Sequence, residues 1–303
     1  MKHIAVRGLP LIITLIAVSF AVFVFSSFAE GDSSAYILSE DAGEDEIVAY
    51  RDSSGLSENT ARRYLSFLSS FSRGDWGENI SGQSIKETIG RRFPVSAVLA
   101  SMSVMFSLLI AIPLSFASLK RGSLSDRIVT GFASLCASFP VFVLSLLLII
   151  IFSLKLGVFP SSGLSRGFVS FILPSFSLGI VYSSLLIRMF RRKIREALDS
   201  PSGFYSRAAG LGYMETAFAV AVKPALPLLV TVIGESCAAI IGGTAVIETV
   251  FALPGLGSLL VKAALERDAL LSGTIVLISA FAVGIISICC DIVSYLLNPR
   301  RRQ

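Results

Sequence analysis

Six stretches of this chain run for about 20 residues or more with at most one charged side chain each, and that pattern decides what it can fold into. They are Leu9–Phe28, Pro94–Leu119, Ile128–Leu154, Phe171–Phe190, Leu226–Ile247 and Gly273–Leu297. At 1.5 Å per residue, about 20 apolar residues in a helix cross the roughly 30 Å of hydrocarbon in a bilayer. Backbone polar groups inside lipid must be satisfied within the segment, so helices are expected rather than strands. Composition agrees: 53% of the 303 residues are hydrophobic and 16% charged, against about a quarter charged in soluble domains. The expected fold is an all-α membrane protein with six transmembrane helices.

Charge placement sets the topology. Lys2, His3 and Arg7 precede the first stretch; Lys120, Arg121 and Arg127 follow the second; Arg191, Arg192, Lys193 and Arg195 follow the fourth; Arg300, Arg301 and Arg302 end the chain. With six spans all four clusters fall on one side, which the positive-inside rule makes cytoplasmic, with both termini. The formal charge of +5 is therefore a topology signal. It excludes a nucleic-acid-binding face, and membrane lipid is the expected surrounding. Residues 29–93 are polar, with twelve acids against seven bases, as expected of an extracytoplasmic segment. Within it Asn59–Phe71 and Ser84–Phe93 read as short helices joined by the turn Arg73-Gly74-Asp75-Trp76-Gly77. Ser27-Phe28-Ala29 leaves a cleaved signal peptide as the alternative for the first stretch; its length favours an uncleaved helix.

Catalytic motifs are absent. No Gly-Lys dipeptide exists for a Walker A loop, and no metal-ligand spacing occurs. Cys136, Cys237, Cys289 and Cys290 all lie in apolar runs and read as packing residues. The chain is expected to bind no cofactor itself and to catalyse nothing. Its energy source is then a partner protein or an ion gradient.

Residues 204–227, FYSRAAGLGYMETAFAVAVKPALP, interrupt the apolar pattern on the cytoplasmic side. Ala208, Ala209, Gly210 and Gly212 permit close approach of another surface. Gly212 is expected to take a positive φ and break the helix. A helix-turn-helix connector is the bland alternative. Glu235 lies deep in the fifth stretch, where an ionisable group costs several kcal/mol unless it is paired or wetted. It either lines a path and meets a substrate amino group or is a hydrogen-bonded carboxyl at a helix interface. Asp291, nearer the cytoplasmic end, reads as structural. Pro254, Gly255 and Gly257 force a turn after that stretch, a gate element or simply a rigid turn.

The segment Gly242-Gly243-Thr244-Ala245-Val246-Ile247-Glu248-Thr249-Val250-Phe251-Ala252-Leu253-Pro254-Gly255-Leu256-Gly257 is similar to the GG-x-x-V-x-E-T-V-F-x-x-P-G-L-G pattern of ABC importer permeases in the dipeptide, oligopeptide and nickel branch. Gly74–Gly77, Arg121-Gly122, Asp126, Phe159–Gly163, Arg267-Asp268 and Asn298-Pro299-Arg300 resemble the same branch. The resemblance implies the type I permease fold, divided into a first helix with its extracytoplasmic segment (1–93) and a five-helix transmembrane domain (94–303). It implies a coupling loop over about 191–225, in which Arg207, Ala208, Ala209, Gly210, Gly212 and Tyr213 meet an ATP-hydrolysing subunit. There Ser206-Arg207-Ala208 stand where the family has Glu-Ala-Ala. Glu235, Glu248, Pro254 and Gly255 become candidates for the translocation path or gate. Implied partners are a homologous second permease, two ATP-binding subunits carrying ATP and Mg, and an extracytoplasmic solute-binding protein. The implied location is the bacterial cytoplasmic membrane and the implied cargo a di- or oligopeptide. The rival reading is an ion-coupled secondary transporter, for which Glu235 and Asp291 speak but paired interrupted helices do not.

Overall fold

The computed structural model describes residues 13–21, 24 and 60–297. Residues 13–21 are helical. The helices that follow are α1 (Thr60–Ser72), α2 (Ile85–Ala117), α3 (Leu124–Ser138), α4 (Val141–Leu148, prolonged by a π-helical stretch Ile149–Lys155), α5 (Ile172–Leu198), α6 (Pro201–Ala208), α7 (Tyr213–Thr216), α8 (Val222–Val250), α9 (Leu256–Leu265) and α10 (Ala269–Leu297). Among the described residues no strand forms beyond one isolated bridge, Glu78 with Ser84.

Four helical runs are long and apolar enough to span a bilayer: Ile85–Ala117, Gly167–Leu198, Tyr213–Val250 and Ala269–Leu297. A fifth candidate is broken, its halves Leu124–Ser138 and Val141–Lys155 meeting at 102°. The expected apolar segment over Ile128–Leu154 is thus helical but bent at its middle. Pro140 holds Phe139 at φ −83°, ψ 129°, the extended backbone a proline imposes on its predecessor. The expected short helix Ser84–Phe93 is corrected too, because it is the first part of the 33-residue α2. Half of the expected first span, and the acidic run before residue 60, lie outside the described residues.

The chain divides into two compact units, residues 1–96 with 254–284, and 97–253 with 285–303. In the first, Ile85, Ile89, Leu256, Leu259, Ala263, Leu271 and Ile275 are buried together. A second cluster joins Tyr64 and Phe67 of α1 to Leu277, and the Tyr64 hydroxyl donates to the Ile16 carbonyl at 3.0 Å. The turn after α1 places Trp76 in a stack on Phe71 at 5.3 Å. Asp268 accepts from the Ile80 N–H at 3.0 Å and from the Leu271 N–H at 2.9 Å, capping α10. Burial outweighs these donors and pushes the Asp268 carboxyl above the usual range.

The second unit holds the remaining spans. Leu119, Phe190, Ile194, Leu198, Ala217, Ala221 and Ala225 form one cluster, and Ala111, Val129, Ala133, Leu186, Ile187 and Val232 another. Helix α5 lies against α3, α4 and α8. Small residues set these distances: a Cβ on Gly179 would fall 2.6 Å from Phe106 Cβ, so α2 and α5 touch almost backbone to backbone.

Candidate coupling loop and translocation face

Between α5 and α8 the chain makes an elbow of two short helices. Ser200 caps α6, its hydroxyl accepting from the Gly203 N–H, and Pro201 takes the first helical position, where its missing N–H costs nothing. Gly203 is buried beneath the turn; a Cβ there would lie 2.3 Å from the Leu198 carbonyl oxygen and 2.8 Å from that of Ala197. Arg207 reaches back along the same helix, Nε donating to Gly203 O at 3.3 Å and Nη2 to Leu198 O at 3.2 Å. The elbow is thereby fastened to the end of α5 through main-chain oxygens.

Helix α6 ends in a left-handed turn at Gly210, φ +94°. The Leu211 N–H bonds to Ser206 O at 3.2 Å and the Gly210 N–H to Arg207 O at 3.0 Å, the pattern of a Schellman cap. The expectation that Gly212 takes the positive φ is corrected. Gly212 is extended at φ −62°, ψ 161° and starts α7, its N–H donating to Glu215 Oε2 at 2.9 Å. The helix break lies two residues earlier, because the cap must follow the last turn of α6.

Every residue expected to couple is exposed: Arg207, Ala208, Ala209, Gly210, Gly212 and Tyr213. The structure adds an apolar set that sequence reasoning missed, with Phe204 64%, Tyr205 72%, Met214 45% and Phe218 58% exposed. Phe204, Tyr205 and Met214 belong to the elbow's two short helices, whereas Phe218 lies in the following π-helical stretch and stacks on Phe116 at 4.7 Å; exposed apolar sets of this kind are a feature of docking surfaces. The clue in the sequence is an aromatic pair standing in an otherwise small-residue run.

Beneath the tip, Asp126 Oδ1 accepts from Arg191 Nη1 and from Arg195 Nη2, each at 2.8 Å. All three side chains are less than a fifth exposed. Arg195 also donates to the carbonyls of Ser118 and Leu119, satisfying the open end of α2. The Tyr213 hydroxyl lies 3.5 Å from the same Leu119 oxygen, and the Arg207 guanidinium sits 6.0 Å over the Tyr213 ring. Elements α2, α3, α5 and α7 are thus joined through polar groups. The role of Asp126 was legible only as a family position, since its partners stand more than 60 residues away.

Beyond its first turn, α8 exposes Glu235, Ala239, Gly242, Val246 and Thr249, a single stripe at i, i+4, i+7, i+11 and i+14. Tyr182 of α5 borders it, its hydroxyl donating to Ala239 O at 3.0 Å. Glu248 lies off the stripe and is fully buried. Pro254 and Gly255 stand between α8 and α9. Ala252 at φ 49° caps α8, the Leu253 N–H bonding to Glu248 O at 2.7 Å. Gly255 is buried as the residue before α9, and the Leu256 N–H bonds to Ser96 Oγ at 2.8 Å. Among the described residues no three His, Cys, Asp or Glu side chains converge as a metal site.

Residues 103–303 match the profile of the binding-protein-dependent transport system inner membrane component. The chain belongs to that family. The oligopeptide transport system permease protein OppB of Haemophilus influenzae is 32% identical over 251 residues, 82% of either chain. The metal-staphylopine import system permease protein CntB of Staphylococcus aureus is 31% identical, covering 95% of this chain and 94% of its own. The glutathione transport system permease protein GsiC of Salmonella choleraesuis is 29% identical over 100% and 99%. In fold, the chain resembles the MetNI methionine ABC transporter in an inward-facing form, with a TM-score of 0.59, 19% identity and 70% of this chain covered against 96% of that one. The chain is a membrane-embedded permease component of an ABC importer, which removes the secondary-transporter reading.

Proposed function

We propose that this chain forms one half of the membrane pathway of an ATP-driven importer of peptide-class solutes. The observation that carries the reading is the elbow, an exposed aromatic tip mounted on main-chain-anchored helix ends. It suits a separate ATP-hydrolysing subunit that docks on it. ATP and Mg belong to two such subunits, and a homologous second permease and an extracytoplasmic solute-binding protein complete the assembly. The names of the oligopeptide and glutathione relatives support peptide-class cargo. In the assembled transporter, Phe204→Ser with Tyr205→Ser should lower solute-stimulated ATP hydrolysis about tenfold or more, on the scale of losing an interface anchor. Membrane level should stay constant. Unchanged stimulation in that variant would remove the docking assignment.

The α8 stripe is the favoured solute path. Glu235 is exposed on this chain, and facing lipid would cost an ionised carboxylate several kcal/mol, so a watery passage or the second permease lies against it. A carboxylate there suits the ammonium group of a peptide. Glu235→Gln keeps shape and hydrogen bonding but removes the charge. Uptake should fall roughly tenfold, the weight of about 1.4 kcal/mol from one lost charge-assisted contact, with assembly intact; equal uptake would make Glu235 a packing residue.

Six spans with both termini cytoplasmic complete the proposal, drawn from the basic clusters and the first apolar stretch. With the native cysteines replaced, an impermeant thiol reagent applied from outside should label Ser81→Cys and spare Ser125→Cys. Both serines are exposed. The reverse labelling would invert the topology.

A further inference from the structure

Next to the elbow, α5 and the loop before α3 enclose an open cleft of about 570 Å³. Arg121, Arg188, Arg191, Arg192 and Arg195 line it against only Glu196 and Asp199. Arg191 and Arg195 are held by Asp126, Arg121 by Asp199 at 2.9 Å, and Arg192 by Glu196 at 3.1 Å. Arg188 donates from Nε to Ser184 O at 3.3 Å, and among the described residues no carboxylate lies within ion-pair distance of it. The cleft therefore has cationic groups in surplus.

Its surroundings are apolar on the membrane side. Leu185, three residues before Arg188 on α5, is 41% exposed. Along α5, Leu185 is followed one turn later by Arg188 and then by Arg191, Arg192 and Arg195, so the arginines begin where the apolar part of that helix stops. A free anion would use only the arginines, whereas an amphiphile with a phosphate head and acyl chains uses both surfaces. We infer that this cleft binds the phosphate of an anionic phospholipid, whose acyl chains run past Leu185 on the membrane side of α5. Basic pockets between transmembrane helices at the membrane boundary suit such heads. The inference rests on membrane embedding and is independent of the solute carried.

The assembled transporter, purified in detergent, is titrated with phosphatidylglycerol and with phosphatidylcholine of the same acyl chains, and bound lipid is counted by native mass spectrometry. Phosphatidylglycerol should be retained about tenfold better. Arg188→Gln with Arg192→Gln should weaken that retention about thirtyfold, several-fold for each basic side chain lost at an anionic surface. Lys120→Gln with Arg127→Gln removes as much charge outside the cleft and should cost less than about threefold by the same reasoning. On the unaltered protein, phosphatidylglycerol with a photoreactive group beside its phosphate should label the 185–199 segment, a result that needs no variant to fold. Equal losses in the two double variants, labelling elsewhere, or no preference between the lipids would overturn the site. Displacement of the lipid by millimolar inorganic phosphate would overturn the lipid assignment in favour of a free anion.

Discussion

Gly203→Ala should abolish most coupled transport although it adds a single methyl group. Its Cβ would fall 2.3 Å from one carbonyl oxygen and 2.8 Å from another, both main-chain atoms of the last turn of α5. Neither can swing away as a side chain would, so α6 must shift. Overpacking of this kind costs about 1–3 kcal/mol and at times more. That cost falls on the geometry presenting Phe204 and Tyr205 rather than on the distant spans. Solute-stimulated ATP hydrolysis and uptake in reconstituted vesicles should both fall at least about tenfold, since 1.4 kcal/mol is a factor of ten, while insertion continues. Gly212→Ala is the matched control. Its backbone is extended, and the nearest atom to an added Cβ is Glu215 Oε2 at 3.4 Å, an ordinary contact. Near-normal activity in Gly203→Ala would show that α6 need not sit against α5 for coupling.

The largest stability effect is expected at Asp126. Asp126→Asn removes the shared counter-ion of Arg191 and Arg195 and leaves two guanidinium groups side by side in a mostly enclosed position. Breaking such a pair from one side costs about 3 kcal/mol or more. Arg195 also holds the α2 carbonyls of Ser118 and Leu119, so the loss should spread to the end of α2. Thermal unfolding of the purified chain in detergent should shift down by several degrees. Restoring one balance with Arg191→Gln in the Asp126→Asn background should recover part of the shift. Strict additivity of the two changes would mean that the residues do not act as a unit.

Spans were legible because membrane helices announce themselves by length and lack of charge, and four of the expected segments coincide with continuous helical runs. The effect of each proline was less legible. Pro94, Pro113 and Pro227 all lie inside helices that continue, whereas Pro140 turns the chain by 102°. Neighbouring helices and nearby donors decide whether a proline bends or breaks a membrane helix, and no local window contains them. Small residues mark the elbow in the sequence, but their mere presence does not distinguish Gly210 from Gly212 as the left-handed turn. The spacing that distinguishes them was present: Gly210 follows the last turn of one helix, and Gly212 stands three residues before Glu215, which reaches back to cap the next. The anchoring of α6 on Leu198 and the Asp126 cluster could not be read, since both depend on pairings made only when the helices pack. The described part of 29–93 does carry the expected helix, displaced by one residue at each end to Thr60–Ser72.

The two arms of the elbow are built differently. On one side α6 is clamped to α5 by Arg207 and by the bare backbone of Gly203. On the other, α7 passes into α8 through the π-helical residues Ala217–Ala221, where the tight i to i−4 ladder is given up for a wider turn. Ala217 and Ala221 of that stretch are fully buried with Phe190, Ile194 and Leu198 of α5, so both arms of the elbow bear on the same helix end. Helix α8 carries the stripe with Glu235. Under the proposed function, a push on Phe204 and Tyr205 would therefore reach α5 and the start of α8 together.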